Sequence, residues 1–395
     1  MSNLENRKRY LSVFMDLSKA FDCIDHNILY SKLAHYGFKS SAINLIKSYL
    51  SNRQQYIEIG NTRSSHGEIN IGVPQGSILG PLIFLIYIND IAESSELLSA
   101  ILYADDSTFS ACIEDLAPDD SSREVIISNE LTKISNWLKS NKLCLNASKT
   151  KYIIFNKTLK PNELNLNING TKIDQTTEFN FLGLKINSNL DWNSHIAMIM
   201  TKINRNIGII RRLKHILPLH ILTTLYYSLI HPHLHYMILA WGYNTDQVTI
   251  AQKKALRLIH NEHYLSHTDP LFRSSKILKH KDLHQSAQLK FCYKYLHSEL
   301  PDYFNNMNFD KNNDIHSHFT RNNDSLRSVK PTTEYSRKIL RNSLPGVINA
   351  LPNDIKSSIH CTKLHVFVNN WKKITLNTYS DLRYCGDPDC ISCKI

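Results

Sequence analysis

SAILYADDSTFSAC, residues 99–112, sets two aspartates side by side between apolar flanks. Ile101, Leu102 and Tyr103 on one side, and Thr108 and Phe109 on the other, are strand-forming residues. In a strand that ran straight through, neighbouring side chains would point to opposite faces, and one carboxylate would be aimed at a core. A buried, unpaired carboxylate is costly. The stretch therefore predicts a hairpin with Asp105 and Asp106 at its tight turn, a place suited to holding a divalent cation.

Working outward, YLSVFMDLSKAFD (residues 10–22) predicts a central strand from Leu11 to Met15 that runs into Asp16. A helix follows, N-capped by Asp25 and stopped at Gly37. SAINLIKSYLSN predicts a second helix, and QQYIEIGNTRSSHGEINI a hairpin turning at Gly60-Asn61. GVPQGSILGPLIFLIYINDI reads as a Gly/Pro loop feeding a helix. Beyond the Asp-Asp hairpin, ISNELTKISNWLKSNKL predicts a helix, and TKYIIF and FNFLGLKI predict strands. The elements interleave without strict βαβ alternation, so the expected fold class is α+β, an antiparallel sheet with helices on one face. From Trp192 the pattern turns helical. Ile196, Ile199, Met200, Ile203, Ile207 and Ile210 follow three-four spacing, with Lys202, Arg205 and Arg212 opposite. Residues 305–335 are polar and Asn-rich, and CTKLHVFVNNWKKITL predicts a last helix before a Cys-bearing tail.

The charge is unevenly spread over the 395 residues. The formal net charge is +11, yet residues 1–190 carry 19 basic and 20 acidic side chains, and residues 191–395 carry 27 and 15. A near-neutral first half and a basic second half point to chemistry in one and polyanion binding in the other, unless the excess is only a basic surface. A hydrophobic content of 42% is enough for a sizeable core. No apolar run approaches the ~18 residues of a membrane span. MSNLENRKRY has no apolar stretch behind its charges, and Cys23, Cys112, Cys144 and Cys292 are scattered singly. These features lead us to expect an intracellular protein without a membrane partner.

VFMDLSKAFD and LYADD each end an apolar strand in Asp. Two such strands ending side by side would bring Asp16 to Asp105, and clustered carboxylates require compensating cations. Hard oxygen ligands suit Mg²⁺. Two ions about 4 Å apart can activate an attacking hydroxyl and stabilise a leaving phosphate, which is the chemistry of nucleotidyl transfer.

In combination the motifs resemble those of the reverse transcriptases of non-LTR (LINE-type) retrotransposons, particularly the jockey-like and chicken-repeat-like groups. FMDLSKAFDCIDH is similar to motif A of that family, GVPQGSILGPLIFLIYINDI to motif B, YADD to motif C, NASKTKYIIF to motif D and FLGLKI to motif E. LYYSLIHPHLHYMILAWG, NSLPGVINALP and FVNNWKK resemble its thumb and C-terminal regions. The resemblance implies a right-hand polymerase: a palm over residues 1–190, a helical thumb over 191–245, and a helical region over 246–304. A polar linker over 305–335 and a C-terminal helical segment over 336–395 complete the expected division.

It also implies roles. Asp16, Asp105 and Asp106, with the Leu17 carbonyl, would hold two Mg²⁺ ions, with Mn²⁺ as a substitute. Phe21 would be a steric gate against a 2′-hydroxyl, or else ordinary core packing. Gln75 and Gly76 would contact the incoming nucleotide, and Gly72, Gly76 and Gly80 would admit nucleic acid or merely permit turns. Lys149, with Lys151 as the other candidate, would meet the departing pyrophosphate. Phe181, Leu182 and Gly183 would form the primer grip, a tight hairpin that positions the primer 3′ end, and Lys202, Arg205 and Arg212 would track the nucleic-acid backbone. The implied partners are an RNA template, a DNA primer or target DNA and deoxynucleoside triphosphates, with copying at the chromosome placing the protein in the nucleus. Cys385, Cys390 and Cys393 are spaced C-x4-C-x2-C; even with His360 and Cys361 nearby in sequence, no zinc site is expected.

Only about ten residues precede motif A, so the fingers are expected to be largely missing and the chain truncated. The reading that competes with an RNA-directed DNA polymerase is a catalytically inactive, retroelement-derived nucleic-acid-binding protein. A group II intron maturase or a telomerase relative shares the palm logic but fits the C-terminal segments less well.

Overall fold

The computed structural model describes residues 8–155, 163–243, 246–304, 307, 309, 325–327 and 339–380. The Cys-x4-Cys-x2-Cys tail and most of the 305–335 segment lie outside these residues. The chain divides into two compact units, Met1–Asp191 and Trp192–Ile395.

The first unit is built on β1 (Tyr10–Met15), the middle strand of a five-stranded sheet. The others are β2 (Ser99–Tyr103), β3 (Asp106–Cys112), β4 (Lys151–Phe155) and β5 (Asp174–Gln175), in the spatial order β5-β4-β1-β3-β2. All neighbours are antiparallel except β4 and β5. A central strand is buried on both faces, and β1 divides its side chains accordingly. Leu11, Val13 and Met15 enter the main core, while Phe14 faces the other way into a small cluster with Ile153 and Phe155.

The main core lies between the sheet and four helices: α1 (His26–His35), α2 (Ser40–Leu50), α3 (Leu79–Ile88) and α4 (Asp120–Ser140). Leu29 and Leu33, Phe84 and Tyr87, and Ile127, Leu131 and Ile134 close over Leu11, Val13 and Phe109. The expected mixed fold is present, with helices packed on one face of a sheet that is antiparallel except for the β4–β5 pair. The start of α1 follows from capping chemistry. Asp25 Oδ1 accepts from the backbone N–H of Asn27 (2.9 Å) and Ile28 (3.0 Å), while Lys142 Nζ lies 2.6 Å from its Oδ2. Gly37, with φ +81°, ends the helix in the left-handed conformation.

The small cluster on the open face of the sheet is covered by a second hairpin, β6 (Glu178–Phe181) and β7 (Leu184–Asn187). FNFLGLKI is thus strand, turn and strand, with the tight hairpin at Phe181, Leu182 and Gly183 that the resemblance implies. Leu182 (φ 48°) and Gly183 (φ 78°) are both left-handed, as a tight two-residue turn demands.

In the second unit the described residues are helical, among them α5 (Asn193–Leu213), α6 (His280–Leu296) and α7 (Leu364–Asn377). On α5 the isoleucines at 196, 199, 203, 207 and 210 are buried as the spacing predicts, while Met200 is only half-buried. Lys202, Arg205 and Arg212 are exposed. The expected last helix is α7, which begins at Leu364, three residues after Cys361, and is preceded by a separate helix, Asn353–Cys361.

Candidate active site

The end of β1 decides what meets what. On one side, Met15 pairs with Ser107, so one further step along the antiparallel ladder sets Asp16 level with Asp106. Cross-strand neighbours in such a ladder stand about 5 Å apart at Cβ. On the other side, Phe14 pairs with Lys151, but the ladder is then interrupted. The Asn146 N–H donates to the Asp16 carbonyl at 2.8 Å, leaving residues 147–149 looped out. The Asn146 carbonyl holds that loop by accepting from the N–H of Lys149 (3.2 Å) and of Thr150 (3.0 Å). From it Lys149 reaches back, Nζ lying 3.6 Å from Asp16 Oδ2. Side chains alternate along a strand, so Asp16 shares the face of Phe14, away from the helices. Phe14, Asp16, Asp106, Thr108, Lys149 and Phe181 are among the residues lining one cavity of ≈400 Å³ there.

The hairpin presenting the paired aspartates differs in detail from expectation. Tyr103 pairs with Asp106, so Ala104 and Asp105 form the turn and Asp106 opens β3. Ala104 has φ 51°, a left-handed conformation that costs a non-glycine residue about 1–2 kcal/mol. Asp105 does not line the cavity among the described residues, whereas Asp106 does. The Asp106 carboxyl is held above its ordinary pKa, first by partial desolvation and then by the like charges of Asp105 and Asp16. Three acidic groups from two distant stretches therefore share one electrostatic neighbourhood.

The arrangement of donors bears on a metal ion. Among the described residues, no three His, Cys, Asp or Glu side chains are grouped closely enough to form a protein-only metal cage. Mg²⁺ does not need one, since it keeps several waters and is held by one or two carboxylates together with substrate phosphates. Asp16 and Asp106 on one cavity wall fit that requirement. Ser107 Oγ and Thr108 Oγ1, buried beside Asp106, have no hydrogen-bond partner. Leu17 is paired with Leu145 in a short ladder. Because Asp16 takes the hydrogen bond from Asn146, the alternation of an antiparallel pair turns the Leu17 carbonyl toward the opposite edge, where the 105–106 turn lies.

Phe181, Leu182 and Gly183 come to this site as the tip of the β6–β7 hairpin. Phe179 stacks on Phe14 with ring centroids 4.2 Å apart, and Phe181 lies 5.5 Å from the same ring. These contacts tie the hairpin to the strand that carries Asp16.

Phe21, Gln75 and Gly76 form a separate group, on the segment that leaves β1 and on the loop before α3. Phe21 is half-buried, its ring centroid 4.6 Å from that of Phe84. Gln75 Nε2 donates to Asp22 Oδ1 at 3.0 Å. The loop is fastened by Gly72 N–H to the Ile24 carbonyl (2.8 Å), Val73 N–H to the Phe21 carbonyl (3.0 Å) and His26 Nε2 to the Gly72 carbonyl (2.8 Å). A Cβ at Gly72 would lie 2.8 Å from both the Cα and the carbonyl oxygen of Asp22, and φ there is +81°. Gly72 thus serves a backbone-to-backbone approach within the protein. Gly76 (φ +78°) would meet nothing within 4 Å and serves a turn. Gly72→Ala is expected to destabilise the first unit by roughly 3 kcal/mol, from overpacking and backbone strain together, read by chemical denaturation.

Asn146, Asp22, Phe14 and Phe179 support the site without having been singled out by their sequence context. Asn146 opens the NASKT stretch and Asp22 ends KAFD, but neither string says which backbone group it will meet.

Comparison with known proteins follows this geometry. Residues 2–186 match the family described as reverse transcriptase (RNA-dependent DNA polymerase). The probable RNA-directed DNA polymerase from transposon BS of Drosophila melanogaster is 28% identical over 267 residues, covering 63% of this chain and 28% of its own. The RNA-directed DNA polymerase from mobile element jockey of the same organism is 25% identical over 302 residues, 73% of this chain and 32% of its own. The chain thus spans about three-tenths of the length of these curated relatives. Among solved structures, a telomerase from Candida albicans, determined with a fragment of telomeric RNA, aligns with 69% of this chain and 50% of its own. Its 12% identity and TM-score of 0.33 make that likeness too weak to build on.

Proposed function

We propose that the cavity at the end of β1 is a nucleotidyl-transfer site, a reading supported by the match of residues 2–186 to the reverse transcriptase family and by the similarity to RNA-directed DNA polymerases from transposon BS and mobile element jockey. It would extend a DNA primer on an RNA template from deoxynucleoside triphosphates. The observation that carries this reading is the meeting of Asp16, Asp106 and Lys149, three separate stretches of chain, on one cavity.

Asp16 and Asp106, with Asp105 and the Leu17 carbonyl beside them, are the groups to hold Mg²⁺. Bound there, a pair of such ions would make the primer 3′-hydroxyl a better nucleophile and neutralise the leaving pyrophosphate. Lys149 supplies a positive charge and a transferable proton on the leaving-group side. The Phe181-Leu182-Gly183 tip, fixed through Phe14, seats the primer end. Gln75, held by Asp22, braces the incoming nucleotide next to Gly76. Lys202, Arg205 and Arg212, exposed along α5, bind backbone phosphates as part of a helical thumb, with residues 1–190 acting as the palm.

The test is incorporation of dTTP by the full chain on an oligo(dT)-primed poly(A) template with Mg²⁺ or Mn²⁺. Template-dependent, metal-dependent extension supports the reading, and its absence from a folded protein overturns it for this chain. Phe21→Val is expected to raise ribonucleotide over deoxyribonucleotide incorporation by about tenfold or more, since a smaller side chain leaves room for a 2′-hydroxyl. Unchanged discrimination would make Phe21 a packing residue only. The excess of basic side chains in residues 191–395 favours a second reading, nucleic-acid binding without catalysis. It predicts salt-sensitive binding that survives loss of all three aspartates.

A further inference from the structure

The second unit holds a larger cavity, ≈790 Å³, on residues with no part in the site above. Lys290 and Lys294 lie one turn apart on α6 and so share a face. Both line the cavity with His235, His365, Phe291 and Leu364. Its remaining walls are mainly apolar, and among the described residues no carboxylate lines it. Among the described residues, no ion pair engages Lys276, Lys290, Lys294 or Lys372. Burial, followed by the like charges of Lys276 and Lys290, lowers the Lys372 pKa. His231 is depressed to about 4, by burial first and then by His235, Lys372 and Lys290. Positive groups therefore crowd together without the anions that normally accompany them.

We propose that this cavity receives one unstacked nucleotide of a single-stranded nucleic acid. Its base lies in the recess by Phe291, Leu364 and His365, and its phosphates lie on Lys290 and Lys294. The volume falls in the ordinary range of ligand pockets, about 300–1,000 Å³. Cationic rims beside apolar or aromatic walls are how proteins hold single strands, whose bases are free to leave the stack. A duplex offers only its backbone to a concave site, and a bare phosphate has no use for the apolar walls. The inference does not depend on the nucleotidyl-transfer reading.

The experiment is fluorescence anisotropy of the full chain. Its probes are single strands of about 12 nucleotides in RNA and DNA form, and an abasic strand of equal length and charge. Lys290→Glu combined with Lys294→Glu is expected to weaken both single strands at least about tenfold. It should also flatten the logarithmic salt dependence by roughly 1.4, the value for two lost phosphate contacts on a single strand. The abasic strand should bind more weakly than either base-bearing strand, and the stronger of those two names the natural ligand. Should the double reversal not fold, Lys294→Ala and His365→Ala are read in its place, each weakening the base-bearing strands. Wild-type affinity and salt slope in a folded variant, or an abasic strand that binds as well as the others, overturns the proposal. Primer extension is read separately on the same variants, so a failure of the polymerase reading, lost extension with this binding intact, and a failure of this one are told apart.

Discussion

Asp16→Asn is expected to lower primer extension by at least about 10³-fold while leaving the first unit folded, because it removes one of two carboxylates available to a cation at the reacting centre. The asymmetry between activity and stability is the informative part. The Asp16 side chain is 40% exposed, and its charged partner Lys149, 69% exposed, stands 3.6 Å away. Exposed pairs of this kind contribute between zero and about 1 kcal/mol. Removing the charge also relieves the repulsion that helps raise the Asp106 pKa. Circular dichroism and a denaturation midpoint should therefore match wild type, while incorporation of labelled dTTP disappears. Asp106→Asn should behave alike. Extension within about tenfold of wild type in either folded variant would remove Asp16 and Asp106 from the reaction.

Acid is expected to unfold the second unit, and the region of loss is pH 6.5 down to 4. Burial pushes three imidazoles, His231, His280 and His284, from an ordinary 6.5 down to about 4. His280 is fully buried against the Trp241 ring, 5.1 Å between centroids, and neither ring nitrogen has a hydrogen-bond partner. Among the described residues, the groups that act on these imidazoles, His284 on His280 and His235, Lys372 and Lys290 on His231, all oppose taking up a proton. Above pH 6.5 all three are neutral in the folded and unfolded chain alike, and their contribution does not change. Between 6.5 and 4 only the unfolded chain takes up the protons, so stability falls with falling pH, at most about 1.4 kcal/mol per group per unit. Below 4 the folded form protonates too and the loss levels off. Across the window each group removes roughly 3 kcal/mol, a large share of the 5–15 kcal/mol a domain typically holds. Thermal melts from pH 7.5 to 4 should show the second unit melting progressively earlier. His280→Phe, which cannot be protonated, should flatten that decline, and a melt independent of pH would mean these imidazoles are hydrated and exchange protons freely.

Much was legible from short stretches. Asp25 caps α1 and Gly37 ends it where the sequence places them, because capping depends on groups within four residues. The isoleucine stripe of α5 is buried and its cations are exposed, because helical spacing alone sets which side chains share a face. Another reading failed for a local reason that the string does not carry. Asp105 took the turn and Asp106 the strand because Tyr103 pairs with Asp106, and residue identity alone does not choose between registers one step apart. By contrast, the turn that divides FNFLGLKI at Leu182-Gly183 was legible through the family resemblance and not from turn chemistry, a leucine standing where glycine or asparagine is the usual signal.

The sequence by itself determined that two apolar strands end in aspartate, that a mixed sheet-and-helix half precedes a helical, basic half, and that a strand-turn-strand presents adjacent carboxylates. Only the tertiary structure decided that Asp16 stands level with Asp106, that a loop tied to Asn146 returns Lys149 to the same cavity, and that Gly72 is reserved for the backbone of Asp22. It alone gathered lysines from α6 and histidines from elsewhere around a second recess. The division has one cause: capping, periodicity and turn chemistry act over a few residues. Which strand lies beside which, and in what register, is settled by burying both faces of β1 at once, with partners some ninety and some one hundred and forty positions away.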